Sequence, residues 1–483
     1  MPTNIGFKHG IYVNELPTAI VPLTQITTPT VALGTAPIHL AQNPAAVNTP
    51  VLCSTLAEFV EQFGWSNNFD DFTLCEVAKA HFTLYNVAPV IFINVLNPLI
   101  NAKQTTAEVT GLAATIRLTQ PIILGSIVIT SGTDDDAVTL AADDFSAIHD
   151  DDGNTVITLT TSGAAKIVDD KANVTFRELD QSALDGSAII GGVDTMSGAN
   201  KGLECIEDIY PKLGIVPGTI IAPKFSANAA VAAAMAAKSN GINGCFKAIA
   251  IADLPTNSAT RYTDVANVKT SNNFADSFLV ATWPKVSLGG EQYHLSTQLA
   301  ALMCVVDAAR DNIPFKSPSN ETLRCDSAVL MDGTEVYLGK DRANYVNSQG
   351  VVTALNFGGW RSWGNHVSAY PYDTDPINFI SVRRMLNWIN NTLTLTFFSR
   401  IDDPMNRVLV DSVLDSVRTW LNGLAKRGAI LGGDIAFLED DNSVTELEAG
   451  NMLFRMDVGF AVPAQKIQFT VQFNPNYFTA LFE

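Results

Sequence analysis

The sequence predicts a multi-domain α/β protein that carries an inserted all-β module and an α+β C-terminal domain. Three observations carry this expectation. Strand and helix patterns alternate in two separate stretches, 29–100 and 197–375, which is how a parallel sheet faced by helices is written in sequence. Between them, over 101–196, short β-prone runs separated by turn clusters take over. At 483 residues the chain also exceeds what one ordinary core accommodates.

Residues 1–28 read as an extended arm. Its one β-prone run, Gly10-Ile11-Tyr12-Val13-Asn14, has no local partner, and Pro2, Pro17 and Pro22 exclude a helix interior or a central strand around it. In 29–100, Thr30-Val31-Ala32-Leu33-Gly34 and Pro50-Val51-Leu52-Cys53 are strands. Thr55 with Glu58 forms a capping box that opens an amphipathic helix ending near Gly64. Phe72, Cys75, Val77, Ala78 and Phe82 recur at helical spacing, and 88–95 is a continuous apolar strand of the buried kind.

The module at 101–196 has β-prone runs at 107–119, 121–130, 155–160 and 173–178, and carries fifteen Asp/Glu against five Lys/Arg. An acidic, turn-rich insertion of this kind faces solvent. In 197–375, a strand within 215–223, an alanine-rich helix over 227–238, a strand over 246–253 and a helix over 297–309 restore the α/β pattern. The C-terminal domain, 376–462, opens with a helix over 379–398. Asp403-Pro404 supplies the cap and first-turn proline of a second helix. Met405, Val408, Leu409, Val413, Val417, Trp420, Leu421 and Leu424 form its apolar stripe, and Lys426 and Arg427 close it favourably for the helix dipole. Two alternating strands follow: Phe454, Met456, Val458 and Phe460 on the first, and Ile467, Phe469, Val471 and Phe473 on the second, inside a terminal arm at 463–483.

A search for chemistry finds little. Of the six histidines (9, 39, 81, 149, 294, 366), none lies within five residues of another, so no ligand pair of the H-E-x-x-H type exists. The six cysteines are scattered in apolar surroundings and read as buried reduced thiols. Gly-Gly pairs at 191, 289, 358 and 432 never extend to a phosphate-binding loop and read as turns. Arg361-Ser362-Trp363-Gly364 approaches a nucleophile elbow, but Trp360 stands where its first glycine belongs. Asp150 to Asn154 fits no calcium-loop register and reads as a solvated turn. No catalytic residue, cofactor or metal is therefore expected. A net charge of −19 repels phosphates and argues against nucleic-acid binding. No apolar run suits a membrane span, and the N-terminus shows no secretory signal, so a cytoplasmic folding site is expected.

Several segments, in order, resemble the contractile tail sheath family of phages and tailocins. They are His9-Gly10-Ile11-Tyr12-Val13-Asn14-Glu15, Ala32-Leu33-Gly34-Thr35-Ala36-Pro37, Asn48-Thr49-Pro50-Val51-Leu52 with Phe63-Gly64, Phe246 to Pro255, Gly359-Trp360-Arg361-Ser362-Trp363-Gly364-Asn365, and Phe379 to Arg384. The resemblance implies that 29–100 and 197–375 form a subtilisin-like α/β sheath domain, a likeness of fold without a catalytic triad. It implies a structural subunit, not an enzyme, that assembles as stacked hexameric rings in a helical sheath. Its partners would be copies of itself, a tail tube protein, and baseplate and tail terminator proteins, in a virion tail assembled in a host bacterial cytoplasm. Both arms would donate strands to neighbouring subunits, through Ile11, Tyr12 and Val13 at one end and Ile467, Phe469, Val471 and Phe473 at the other. The C-terminal domain would lie against the tube, for which Arg407, Arg418, Lys426 and Arg427 are the candidate contacts. A subtilisin-like hydrolase and a secreted surface or adhesive protein remain the alternatives.

Overall fold

The runs Thr30–Gly34, Val90–Asn94 and Ile249–Asp253 are buried along their whole length, as strands covered on both faces must be. In the computed structural model they lie inside an eight-stranded sheet. Its order is Val51–Cys53, Val90–Asn94, Thr30–Gly34, Thr219–Ile221, Ile249–Asp253, Leu279–Thr282, Val351–Asn356 and Trp360–Trp363. The inner strands pair in parallel, and only the two end strands run antiparallel to their neighbours. The structure describes residues 28–482 apart from 111–114, 120–121, 133–136 and 151–153. Over these residues the chain divides into two compact units, 28–391 with 462–482, and 392–461.

Local capping signals open several helices of the larger unit. Thr55 Oγ1 accepts from the Glu58 amide at 3.2 Å and opens Leu56–Phe63. The return bond of the box reaches one residue further back, from the Ser54 amide to Glu58 Oε2 at 2.7 Å. Asn228 caps Ala229–Asn240, accepting from the Ala230 amide at 2.9 Å. Helix Leu295–Ala308 packs into one core with Ala32, Ile221, Ile251 and Val280 of the sheet.

Thr73–Ala78 continues into a π-helical segment, Lys79–Leu84, which buries His81 completely. His81 Nδ1–H donates to Val77 O at 3.0 Å, leaving Nε2 to accept from Thr30 Oγ1 at 3.3 Å. Burial pushes its pKa down to about 4, from an ordinary 6.5. The unfolded chain therefore binds the extra proton first as pH falls. His81 stabilises nothing extra above pH 6.5, and stability declines by about 1.4 kcal/mol per pH unit from there toward pH 4. Urea midpoints at pH 7, 6 and 5 should show this decline, and the His81→Gln variant should show less of it.

The β-rich module is two sheets around a shared core. Ala102–Thr110, Lys171–Leu179, Val128–Ser131 and Val138–Thr139 form one sheet; Thr115–Leu118, Thr155–Leu159 and Phe145–His149 form the other. Ile116, Ile129, Ile157, Val174 and Phe176 fill the space between. The strand at 145–149 was not anticipated from the sequence. Asp144 departs from the solvated-acid expectation: it is buried, accepting from the Ala141 amide at 2.8 Å and pairing with Lys166 at 2.5 Å. Helix Gly186–Ile190 packs on Ala229–Asn240 and so belongs with the α/β body.

Cys53, Cys75 and Cys205 are buried as expected, but Cys245 is exposed. It follows Asn243-Gly244, whose positive φ values of 50° and 69° make a tight turn between Ile242 and Phe246. That turn carries the thiol outward.

Candidate assembly interface

A doubly wound sheet holds ligands beyond the carboxyl ends of its strands, where the strand order turns back. Here that place lies between Thr30–Gly34 and Thr219–Ile221, and the chain's own residues fill it. The Leu74 amide donates to Thr35 O at 3.0 Å, and Thr35 Oγ1 donates to Asp71 O at 2.6 Å. A Cβ on Gly34 would sit 2.1 Å from Thr73 Oγ1. At the next strand end, Asp253 accepts from the Ser296 amide at 2.9 Å and from Thr282 Oγ1 at 2.7 Å. Ser362 is fully buried within Trp360–Trp363, paired with Ala354 on one side and with Glu321 on the other. Among the described residues no group of three or more His, Cys, Asp or Glu is placed to hold a metal ion.

The smaller unit is built on helix Arg407–Lys426. Asn406 is its cap, accepting from the Leu409 amide at 3.0 Å, so the expected start at Asp403-Pro404 is corrected. The buried stripe also differs from the expected one. Leu409, Val410, Leu414, Val417, Leu421 and Leu424 face inward, whereas Val408 is 74% exposed. The helix packs on a hairpin, Ile430–Ala436 against Arg455–Phe460. Gly432-Gly433 is therefore no turn but the interior of a strand. A side chain at Gly433 would press within 3.3 Å of Leu421 and 3.1 Å of Asp457 O, so the glycine admits the helix. Met456, Val458 and Phe460 are half-buried, in alternation with Arg455, Asp457 and Gly459, as the sequence predicted. Asn442 closes the long connection: its Nδ2 donates to Leu438 O and Leu453 O at 2.8 and 2.9 Å, and its Oδ1 accepts from the Leu453 amide at 2.7 Å. The sheet has only these two strands, so among the described residues each keeps an outer edge without a strand partner.

The four basic candidates differ in what surrounds them. Arg407 pairs with Asp411 at 2.9 Å, and Arg418 with Asp434 at 3.0 Å while also donating to Ile435 O. Lys426 and Arg427 lie exposed at the end of the helix. Charge counting along the helix missed Asp434 because it arrives from the hairpin.

The second alternating strand does not form. Residues 461–474 carry no strand, and Ile467, Phe469, Val471 and Phe473 are 73%, 85%, 93% and 75% exposed. The alternation is present, but nothing in the described chain supplies a ladder. Ile11, Tyr12 and Val13 lie outside the described residues.

Residues 373–474 match the phage tail sheath C-terminal domain family. The chain is similar to the tail sheath protein of Burkholderia phage BcepMu, 28% identical over 497 residues, covering 99% of this chain and 98% of that protein. Its fold matches a chain of the contracted sheath complex of PVC, an extracellular contractile injection system, with a TM-score of 0.58 and 13% identity over 98% of this chain and 100% of that one. It matches a chain of the anti-feeding prophage baseplate equally well, with a TM-score of 0.58 and 13% identity over 97% and 100%. The resemblance to the contractile tail sheath family is thus shown along the chain rather than in its motifs alone.

Proposed function

We propose that this chain is the structural subunit of a contractile tail sheath, polymerising as stacked hexameric rings around a tail tube and contracting to drive that tube through a host envelope. The observation that carries the reading is the row Ile467, Phe469, Val471 and Phe473, apolar, exposed and without a strand partner. Such a row completes a sheet when it meets an open edge. The hairpin Ile430–Ala436 with Arg455–Phe460 offers two edges, so the tail of one copy can extend the hairpin of the next. Ile11, Tyr12 and Val13 are read as the second donated strand. Full-length similarity to a phage tail sheath protein supports this.

In this reading the α/β body is subtilisin-like in fold only, and the filled crevice at its strand ends fits a structural role. Strand exchange links subunits through flexible connections while their bodies repack, so contraction is a switch between two packings, the extended one metastable. Baseplate and tail terminator proteins bound the polymer, within a virion tail assembled in the host cytoplasm. Negative-stain microscopy of the purified protein tests the proposal: tubes or striated cylinders are expected, and a strictly monomeric protein at high concentration would overturn it.

Tube contact is assigned to the basic helix positions Arg407, Arg418, Lys426 and Arg427. Arg407 and Arg418 pair with Asp411 and Asp434, while Lys426 and Arg427 are exposed at the helix end. The Lys426→Glu/Arg427→Glu variant should assemble on tubes with at least a tenfold loss in yield, roughly the effect of 1–2 kcal/mol of electrostatic complementarity. Sheath length and yield by electron microscopy are the readout.

A further inference from the structure

The C-terminal tail is exposed along its apolar row, yet its root is held. Gln465 Nε2 lies 2.8 Å from His366 Nε2. The amide nitrogen only donates, so the imidazole nitrogen accepts and the ring proton sits on Nδ1. The ring is fixed on both faces, stacked on Tyr370 at 4.0 Å and 14° and on Phe379 at 4.5 Å and 29°. Its backbone is fixed as well. The Val367 amide donates to Asn378 O at 2.9 Å and the Ile380 amide to Asn365 O at 2.8 Å, closing the loop at whose foot His366 stands. Burial lowers the pKa of His366, which keeps the accepting lone pair available at neutral pH. Gln465, Lys466 and Ile467 are all exposed, so the hydrogen bond to His366, not burial, holds the root.

We infer that His366 is the clasp of the C-terminal arm: by accepting from Gln465 it fixes the arm's root, and the exchangeable strand begins at Lys466. The inference rests on reading the tail as a donated strand, and adds what aims it. Side chains alternate along a strand with a period of two, so a slip of one residue would turn Ile467, Phe469, Val471 and Phe473 to the wrong face of the acceptor sheet. A root held two residues before Ile467 limits such slips. It also shortens the length of chain that must be ordered when the strand docks. His366 is thus a positioning residue for assembly.

The test uses the full chain and three variants: Gln465→Ala at the root, His366→Phe, which keeps the stacked ring but removes the acceptor, and the double variant. Trypsin cleavage after Lys466 is followed in the monomer, and polymer yield by negative stain. Each single variant should be cut about fivefold faster, the ratio one net hydrogen bond supports, and the double no faster than either. Both singles should lower polymer yield. Unchanged cleavage in Gln465→Ala, or additive effects in the double, would overturn the clasp. If the unaltered protein forms no polymers, the sheath reading fails, while the cleavage comparison still decides whether the clasp exists.

Discussion

Removing residues 463–483 is expected to leave a folded monomer that no longer polymerises. The four apolar side chains of the row are at least 73% exposed within a single chain, so the α/β body loses little packing with them. In an assembly, burying them contributes about 1.5–3 kcal/mol each. Ordering residues 467–473 costs about 1–2 kcal/mol per residue, which roughly cancels that gain. The surplus comes from the main-chain bonds to an open edge, at about 0.5–1.5 kcal/mol each. A few kcal/mol per junction raises the critical concentration about a hundredfold or more when it is lost. Sedimentation and negative-stain microscopy should find monomers at concentrations where the intact protein forms cylinders, with the urea transition of the body unchanged. Cylinders from the truncated chain would remove the tail from the assembly account.

What the sequence made legible follows how local each signal is. Buried parallel strands are apolar at nearly every position, so Thr30–Gly34, Val90–Asn94 and Ile249–Asp253 could be placed from their apolar runs. Caps are equally local, as Thr55 with Glu58 shows. Gly432-Gly433 misled because a glycine pair is a turn signal in isolation; its reason is Leu421, which presses on the strand from another element. The cap of Arg407–Lys426 was ambiguous, since Asp403 and Asn406 are both capping residues. The cap is Asn406, and packing on the hairpin, which no capping signal reports, places Val410 and Leu414 inside.

The assembly surface was legible in outline only. Alternation at 467–473 is visible in the sequence, but no strand forms there and none of the described strands pairs with it. The clasp has no sequence signal at all, because His366 and Gln465 are 99 residues apart and neither stands in a motif. Closure of the switch-point crevice by Thr73 likewise depends on a contact across 38 residues.

Asp307→Ala or Arg384→Ala should each destabilise the larger unit by about 3–5 kcal/mol, because each strands a buried charge. Asp307, on helix Leu295–Ala308, is 5% exposed and Arg384, on helix Ile380–Phe397, is 6% exposed. Arg384 Nη1 donates to Asp307 Oδ1 at 3.1 Å, and Nη2 donates to Oδ2, a two-point contact between the helices. Further along Ile380–Phe397, Asn387 Nδ2 donates to Ala248 O at 2.8 Å, and Asn391 exchanges bonds with the Lys247 backbone at 2.7 and 2.8 Å. The ion pair therefore sits beside a polar seam that already positions the helix against the entry of Ile249–Asp253. If so, orientation does not depend on the charges, and the Asp307→Leu/Arg384→Met double variant should recover most of the loss, since apolar replacement of a whole buried pair is often neutral. Urea midpoints followed by the fluorescence of buried Trp283 and Trp388 measure all three. A double variant as unstable as the singles would mean that the pair supplies geometry the seam does not.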